Sequence, residues 1–130
     1  MAILGILALM AATKIQEAVE RARVARAIAD IRAIQVSVDS SDPLPLTLAQ
    51  VGFGGRLDPW GRPYVYNPFR QLDRPGSARR DRFLVPLNSE YDLYSVGRDG
   101  ASRSPLTVPV SFDDVIRAND GGFIGLASRY

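Results

Sequence analysis

The sequence predicts an α+β fold in which one long N-terminal α-helix packs against a small antiparallel β-sheet of about three strands, with an irregular C-terminal loop region after it. Three observations predict it. Apolar residues recur at helical spacing through the first third of the chain. Proline and glycine punctuation begins abruptly at Pro43. Beyond it, three short runs rich in β-branched and aromatic residues follow one another closely, as the strands of a small sheet do.

The helix is read from "KIQEAVERARVARAIADIRAIQVSVDS". Val24, Ile28, Ile31, Ile34 and Val38 recur at spacings of three and four, which puts them on one stripe. Glu17 and Arg21 stand four apart in the favourable order. No glycine or proline interrupts from Ala8 to Ser41, and Asp42-Pro43 ends the run, so the helical part is residues 1–41. Its amphipathic part is 14–41. Its first part, 1–13, "MAILGILALMAAT", carries no charge. That stretch is short of the roughly twenty apolar residues that span a bilayer. It lacks the basic flank and cleavage site of a signal peptide. Left bare, it would expose a large apolar patch, so a membrane or a partner helix is expected to cover it. Ala18, Ala22, Ala25, Ala29 and Ala33 form a second stripe, of small residues that let helices approach closely.

Residues 42–130 form the head. "PLPLTLAQVGFGG" reads as a short helix opened by Thr47 and closed by glycine. "DPWGRPYVYNPF" reads as a turn and a strand from Tyr64 to Tyr66. "RFLVPL" and "YDLYSVG" read as the next two strands, joined around Asn88-Ser89. Trp60 is expected to pack at the edge of the sheet. The loop between the first two strands carries Arg70, Arg74, Arg79, Arg80 and Arg82 and reads as a solvated basic loop. Its other readings are ion pairs to a neighbouring subunit or nonspecific contact with DNA. No specific nucleic-acid partner is expected.

Composition narrows the chemistry. At 130 residues the chain holds one small core. The net charge is only +2, and fifteen of the sixteen basic residues are arginine. With no histidine and no cysteine, serine–histidine catalysis, thiol nucleophiles and thiolate metal sites are excluded. An enzyme would have to run on carboxylates alone, so none is expected. What remains is a pair of acid-bearing loops. Asp99 lies in the glycine turn of "YSVGRDG", and Asp113 and Asp114 lie in "SFDDV". On spacing alone two readings stay open. Asp99 is a turn residue and Asp113-Asp114 cap a helix starting at Val115. Or the two loops close on a cation such as Ca²⁺, which takes about six to eight oxygens from carboxylates and carbonyls. The pattern is not an EF-hand, because the alternating acids before the glycine are missing.

"ILGILALMAAT" followed by a long helix resembles the N-terminal region of type IV pilin-like proteins. "DPWGRPYVY" followed by "YDLYSVGRDG" and "DDV" resembles the major pseudopilin of type II secretion. The resemblance covers nearly the whole chain. It implies a pilin-like fold with Ca²⁺ held by the carboxylates of Asp99 and Asp113, by the carbonyls of Val96 and Ala101, and by an oxygen of Ser111. It also implies residues before Met1, since the family's mature chain starts upstream with a phenylalanine and a glutamate soon after. The function it implies is structural: a subunit of a helical periplasmic or extracellular filament, a type II secretion pseudopilus or a type IV pilus. Its partners would be other copies of itself, minor pilins or pseudopilins, and the inner membrane before assembly. Its helix would then sit in the inner membrane and its head in the periplasm, or at the cell surface in a true pilus. The alternative from another class is a membrane-anchored periplasmic binding module that stays monomeric, and a third is an arginine-rich nucleic-acid binder.

Overall fold

The computed structural model describes residues 2–82 and 85–130. Helix α1 runs unbroken from Ala2 to Asp39. Ala27, Ile31, Ile34 and Val38 are fully buried, with Val24 and Ile28 packed beside them. The stripe predicted from spacing is therefore the core face, with Ala27 added to it. The helix stops two residues short of Ser41. The Ser40 hydroxyl donates to the Val36 carbonyl at 2.6 Å and the Ser41 hydroxyl to the Ser37 carbonyl at 3.0 Å. Such local bonds offer the last turn an alternative to continuing.

After the helix, Leu48–Val51 is one 3₁₀ turn. Thr47 stands at its cap position without a side-chain capping bond, and Gly52 closes it in the left-handed region at φ 86°. Strand β1 is Val65–Asn67, one residue later than expected. Strands β2 (Arg80–Asp81) and β3 (Val85–Pro86) pair with each other as a separate two-stranded ribbon. The expected strand "RFLVPL" is thus described only at Val85–Pro86; Phe83 and Leu84 lie outside the described residues. It does not form a hairpin with the next strand. Strand β4, Asp92–Ser95, pairs instead with β1 on one side and β5 on the other.

The C-terminal region is not an irregular loop. It holds β5 (Val115–Ala118) and β6 (Phe123–Leu126), antiparallel, with Val115 opposite Leu126 and Ala118 opposite Phe123. The turn between them is "NDGG", where Asn119, Asp120 and Gly121 all take positive φ (52°, 54° and 99°). Asparagine, aspartate and glycine tolerate that conformation best, so this sequence suits a tight return. The main sheet is then four strands in the order β1-β4-β5-β6. Leu93 and Val115 meet the buried stripe of α1, while Ile116 and Ala118 face a second small core with Leu87, Leu106 and Ala127.

Polar bonds fasten the head to the helix from Glu20 to Asp39. Trp60 Nε1 donates to Glu20 Oε1 at 3.2 Å. Asp30, buried, accepts the Tyr64 hydroxyl at 2.7 Å and the Arg56 guanidinium at 2.6 Å. The Tyr91 hydroxyl donates to Asp39 Oδ1 at 2.8 Å. The Arg117 guanidinium bonds Gln35 and lies 4.1 Å above the Tyr91 ring. Before Glu20 every residue from Ile3 to Val19 is exposed, so that half of α1 stands clear of the head.

Candidate functional site

Two features stand out as candidates for chemistry or for contact with a partner. The first is the acid-bearing turn that follows β4. Asp58, in the "DPWG" turn, sets its position. Asp58 Oδ1 accepts the backbone N–H groups of Trp60 and Arg62 at 3.0 and 2.9 Å, and its Oδ2 accepts the Ser95 hydroxyl at 2.7 Å. Arg62 then reaches across and donates to the carbonyls of Gly97 and Arg98 at 3.3 and 3.4 Å. The turn needs glycine at Gly97: φ is +70°, and a Cβ there would stand 2.3 Å from the Asp113 carbonyl oxygen. Only a bare backbone comes this close to the second acidic loop.

The turn brings the two acid-bearing loops together. The Asp99 N–H donates to Asp113 Oδ2 at 2.9 Å, and the Ala101 N–H donates to Asp99 Oδ1 at 3.0 Å. One carboxylate oxygen from each of Asp99, Asp113 and Asp114 lies within 4.8 Å of the others. Val96, half-buried, and Ala101, exposed, flank the turn. Burial raises the Asp113 carboxyl above its ordinary range and the neighbouring Asp99 carboxyl adds to the rise, while the Asp99 N–H opposes it. Ser111 is fully buried, and its hydroxyl is committed: it accepts the Arg103 N–H and donates to the Arg103 carbonyl, both at 2.9 Å.

Asp114 caps no helix, because Val115 opens strand β5. Its carboxylate is fully buried and pairs with Arg79, Nη2 to Oδ2 3.0 Å, and accepts the Ser102 hydroxyl. Burial pushes its pKa up to about 6, against the Ser102 bond and the Arg79 charge, which pull it down. Arg79 therefore leaves the solvated basic loop to which its neighbours assign it. Arg70, Arg74 and Arg82 are exposed there, whereas Arg79 is buried over the Tyr94 ring at 4.1 Å. Sequence reasoning missed Arg62, Arg79 and Ser102; the only forewarning was that Arg62 sits inside "DPWGRPY".

The donor set is all oxygen, as a hard cation requires. Asp113 Oδ1 and Asp114 Oδ1 are both buried and accept no hydrogen bond. Such orphaned carboxylate oxygens beside Asp99 fit a cation, and Asp114 adds a carboxylate that the resemblance did not assign.

The second feature is the free half of α1. Ile3, Leu4 and Leu9 are 73%, 69% and 71% exposed, and Ala18, Ala22, Ala25, Ala29 and Ala33 are all exposed too. Among the described residues no helix is long and apolar enough to cross a membrane. No protein-family model, curated protein or solved structure matches this chain.

Proposed function

We propose that this chain is a non-catalytic structural subunit of a helical filament, of the pilin or pseudopilin kind, that assembles through its N-terminal helix with copies of itself and with minor subunits. One observation carries the reading: an uncharged helix end whose large apolar side chains are mostly in water while the rest of the same helix is bolted to a folded head. A soluble monomer rarely keeps such a surface bare. The exposed alanine stripe continues the surface toward the head and gives neighbouring helices room for close contact. Before assembly the same apolar end lodges in the inner membrane with the head in the periplasm. As a helix it reaches about 20 Å, part of the way through a hydrocarbon core of about 30 Å.

Within the head, the turn from Val96 to Ala101 holds Ca²⁺ with Asp99 and Asp113, and Asp114 lends its orphaned oxygen. The cation would neutralise the crowded carboxylates and fasten the two acid-bearing loops together, in a chain with no disulfide to do so.

The test is assembly of the full chain against a variant lacking residues 1–13. Light scattering and negative-stain microscopy should show filaments for the first and a folded monomer for the second. Filaments of normal length from the shortened chain would overturn the reading. A full chain that stays monomeric in detergent-free buffer and in vesicles would overturn it as well.

A further inference from the structure

Strand β6 is one edge of the main sheet, and α1 packs beside it. Between them lies a groove of about 660 Å³. Val24, Ala25 and Ile28 form the apolar part of its helix wall, and Phe123, Ile124 and Leu126 its strand wall; Glu17, Glu20, Arg21 and Arg129 also line it. Val24, Ile28, Phe123, Ile124 and Leu126 are only partly buried. This is a mostly apolar trough with charged side chains among its lining.

The same molecule carries a second unpartnered apolar surface, Ile3 to Met10, in which no residue is charged. The segment suits the groove's apolar walls and is short enough to lie within it. As a helix, Ile3 to Met10 runs about 10 Å, and the groove follows α1 from Glu17 to Ile28, about 17 Å. They cannot meet within one chain, because segment and groove wall belong to one unbroken helix and are held apart along its axis. A contact between them must join two copies. Such a contact uses different surfaces on the two partners: one copy is left with its groove free and the other with its segment free, so association continues into a ring or, where the rotation does not close, an open helical filament.

We propose that the groove between α1 and β6 receives the uncharged segment Ile3 to Met10 of a second copy of this chain. The proposal rests on the assembly reading above and names its receptor. Ala25 lets the incoming helix lie close to α1, and the large side chains of Ile124 and Leu126 cover its other side. The contact buries the two apolar surfaces against each other, which is the main source of association energy in such interfaces.

The chain has no cysteine, so introduced thiols report only on the positions chosen. Leu7→Cys protein is mixed with Ile124→Cys protein under assembly conditions, and disulfides are formed with an added oxidant. Val24→Cys serves as a second groove position should Ile124→Cys disturb the sheet, and Leu72→Cys, exposed on a distant loop, is the control. Docking raises the local concentration of the pair, so Leu7–Ile124 or Leu7–Val24 links should exceed Leu7–Leu72 links by about tenfold or more. Filaments with groove links no higher than the control overturn the groove and leave the assembly reading standing. A chain that forms neither filaments nor links overturns both.

Discussion

The Arg79 guanidinium and the Asp114 carboxylate form an ion pair inside the head, 3.0 Å apart, with the side chains 4% and 0% exposed. Arg79 also donates to the Ser102 hydroxyl at 2.7 Å and to the Arg103 carbonyl at 3.0 Å. Its backbone N–H donates to Asp92 Oδ2 at 2.6 Å. Through side chain and backbone together, Arg79 thus ties the loop before β5 to strand β4. Removing one member of such a pair strands a buried charge, which costs about 3–5 kcal/mol. Replacing both by apolar residues of similar size is often close to neutral. Arg79→Met and Asp114→Leu should each lower the urea midpoint strongly, and the double variant should recover much of the loss. Additive losses would show that the two side chains act separately.

Asp30 sets the acid limit of the joint between helix and head. Burial pushes its carboxyl up, but the bonds from Arg56 and Tyr64 and the charges of Arg56 and Arg26 outweigh this and hold it below its ordinary 3.8. A depressed carboxyl stabilises the fold above its unfolded pKa, and the contribution is lost as pH falls through the folded value. The stability difference between wild type and Asp30→Asn should be flat from neutral pH down to about 5 and shrink below about 4. Urea titrations across that range check it; a difference that grows on acidification would mean burial prevails.

Tyr64 makes the second half of the same joint. Burial, then its bond to Asp30, raises its hydroxyl pKa far above the ordinary 10.0, so it stays a donor at any physiological pH. Tyr64→Phe keeps the ring in the core and leaves Asp30 Oδ2 with only the distant Arg26 at 3.9 Å. The loss should be about 1–3 kcal/mol. In a double-mutant cycle with Asp30→Ala it should be strongly non-additive, since each change removes the same bond.

The helix was legible because burial repeats every three to four residues there, and nothing else in the chain imposes that period. The C-terminal hairpin was not read, although "NDGG" between "VIRA" and "FIGL" is a hairpin signal. The strands are only four residues each, and Arg117, buried by stacking on Tyr91, breaks the apolar pattern of β5. The ribbon of β2 and β3 was hidden for a similar reason, with one proline and two charged residues in its strands. In the site, glycine and acid spacing pointed to the loops of Asp99 and of Asp113-Asp114, and the family resemblance singled out Asp113. The role of Asp114 depends on Arg79, which lies in a different loop and looks solvated among its neighbours. No local pattern announces a charge that is buried because a distant charge meets it.

Glycine substitutions separate strain from contact in the acid-bearing turn. Gly52, Gly97 and Gly100 all have positive φ. An alanine at Gly52 meets nothing within 4 Å, so it should cost only the backbone strain, about 1–2 kcal/mol. At Gly100 it meets the Arg62 guanidinium at 2.5 Å, a flexible group that can move. At Gly97 it meets the Asp113 backbone at 2.3 Å, which cannot move without displacing the second loop. Thermal melts should rank the losses Gly97→Ala, then Gly100→Ala, then Gly52→Ala. A Gly97→Ala variant as stable as Gly52→Ala would show that the two loops are not in contact.

Calcium gives the sharpest test of that contact. A ligand bound only by the folded state adds about 2.7 kcal/mol at a hundredfold excess over Kd, a large part of the 5–15 kcal/mol typical of a domain. Added Ca²⁺ should raise the melting temperature by several degrees, and chelation should reverse the gain. Hydrogen exchange should loosen first between Asp99 and Asp114 when the ion is removed. Asp113→Ala removes a carboxylate that serves the turn and the cation alone, so it should abolish the calcium response with a modest loss of basal stability. Asp114→Ala differs from what a helix cap would predict: it strands Arg79 and should lower stability strongly with or without the ion. Two variants at adjacent positions therefore separate the cation from the ion pair. If calorimetry shows no heat of binding at millimolar Ca²⁺, Asp99 and Asp113 are turn residues. The Arg79–Asp114 pair and the Asp99 N–H bond to Asp113 then hold the two loops unaided.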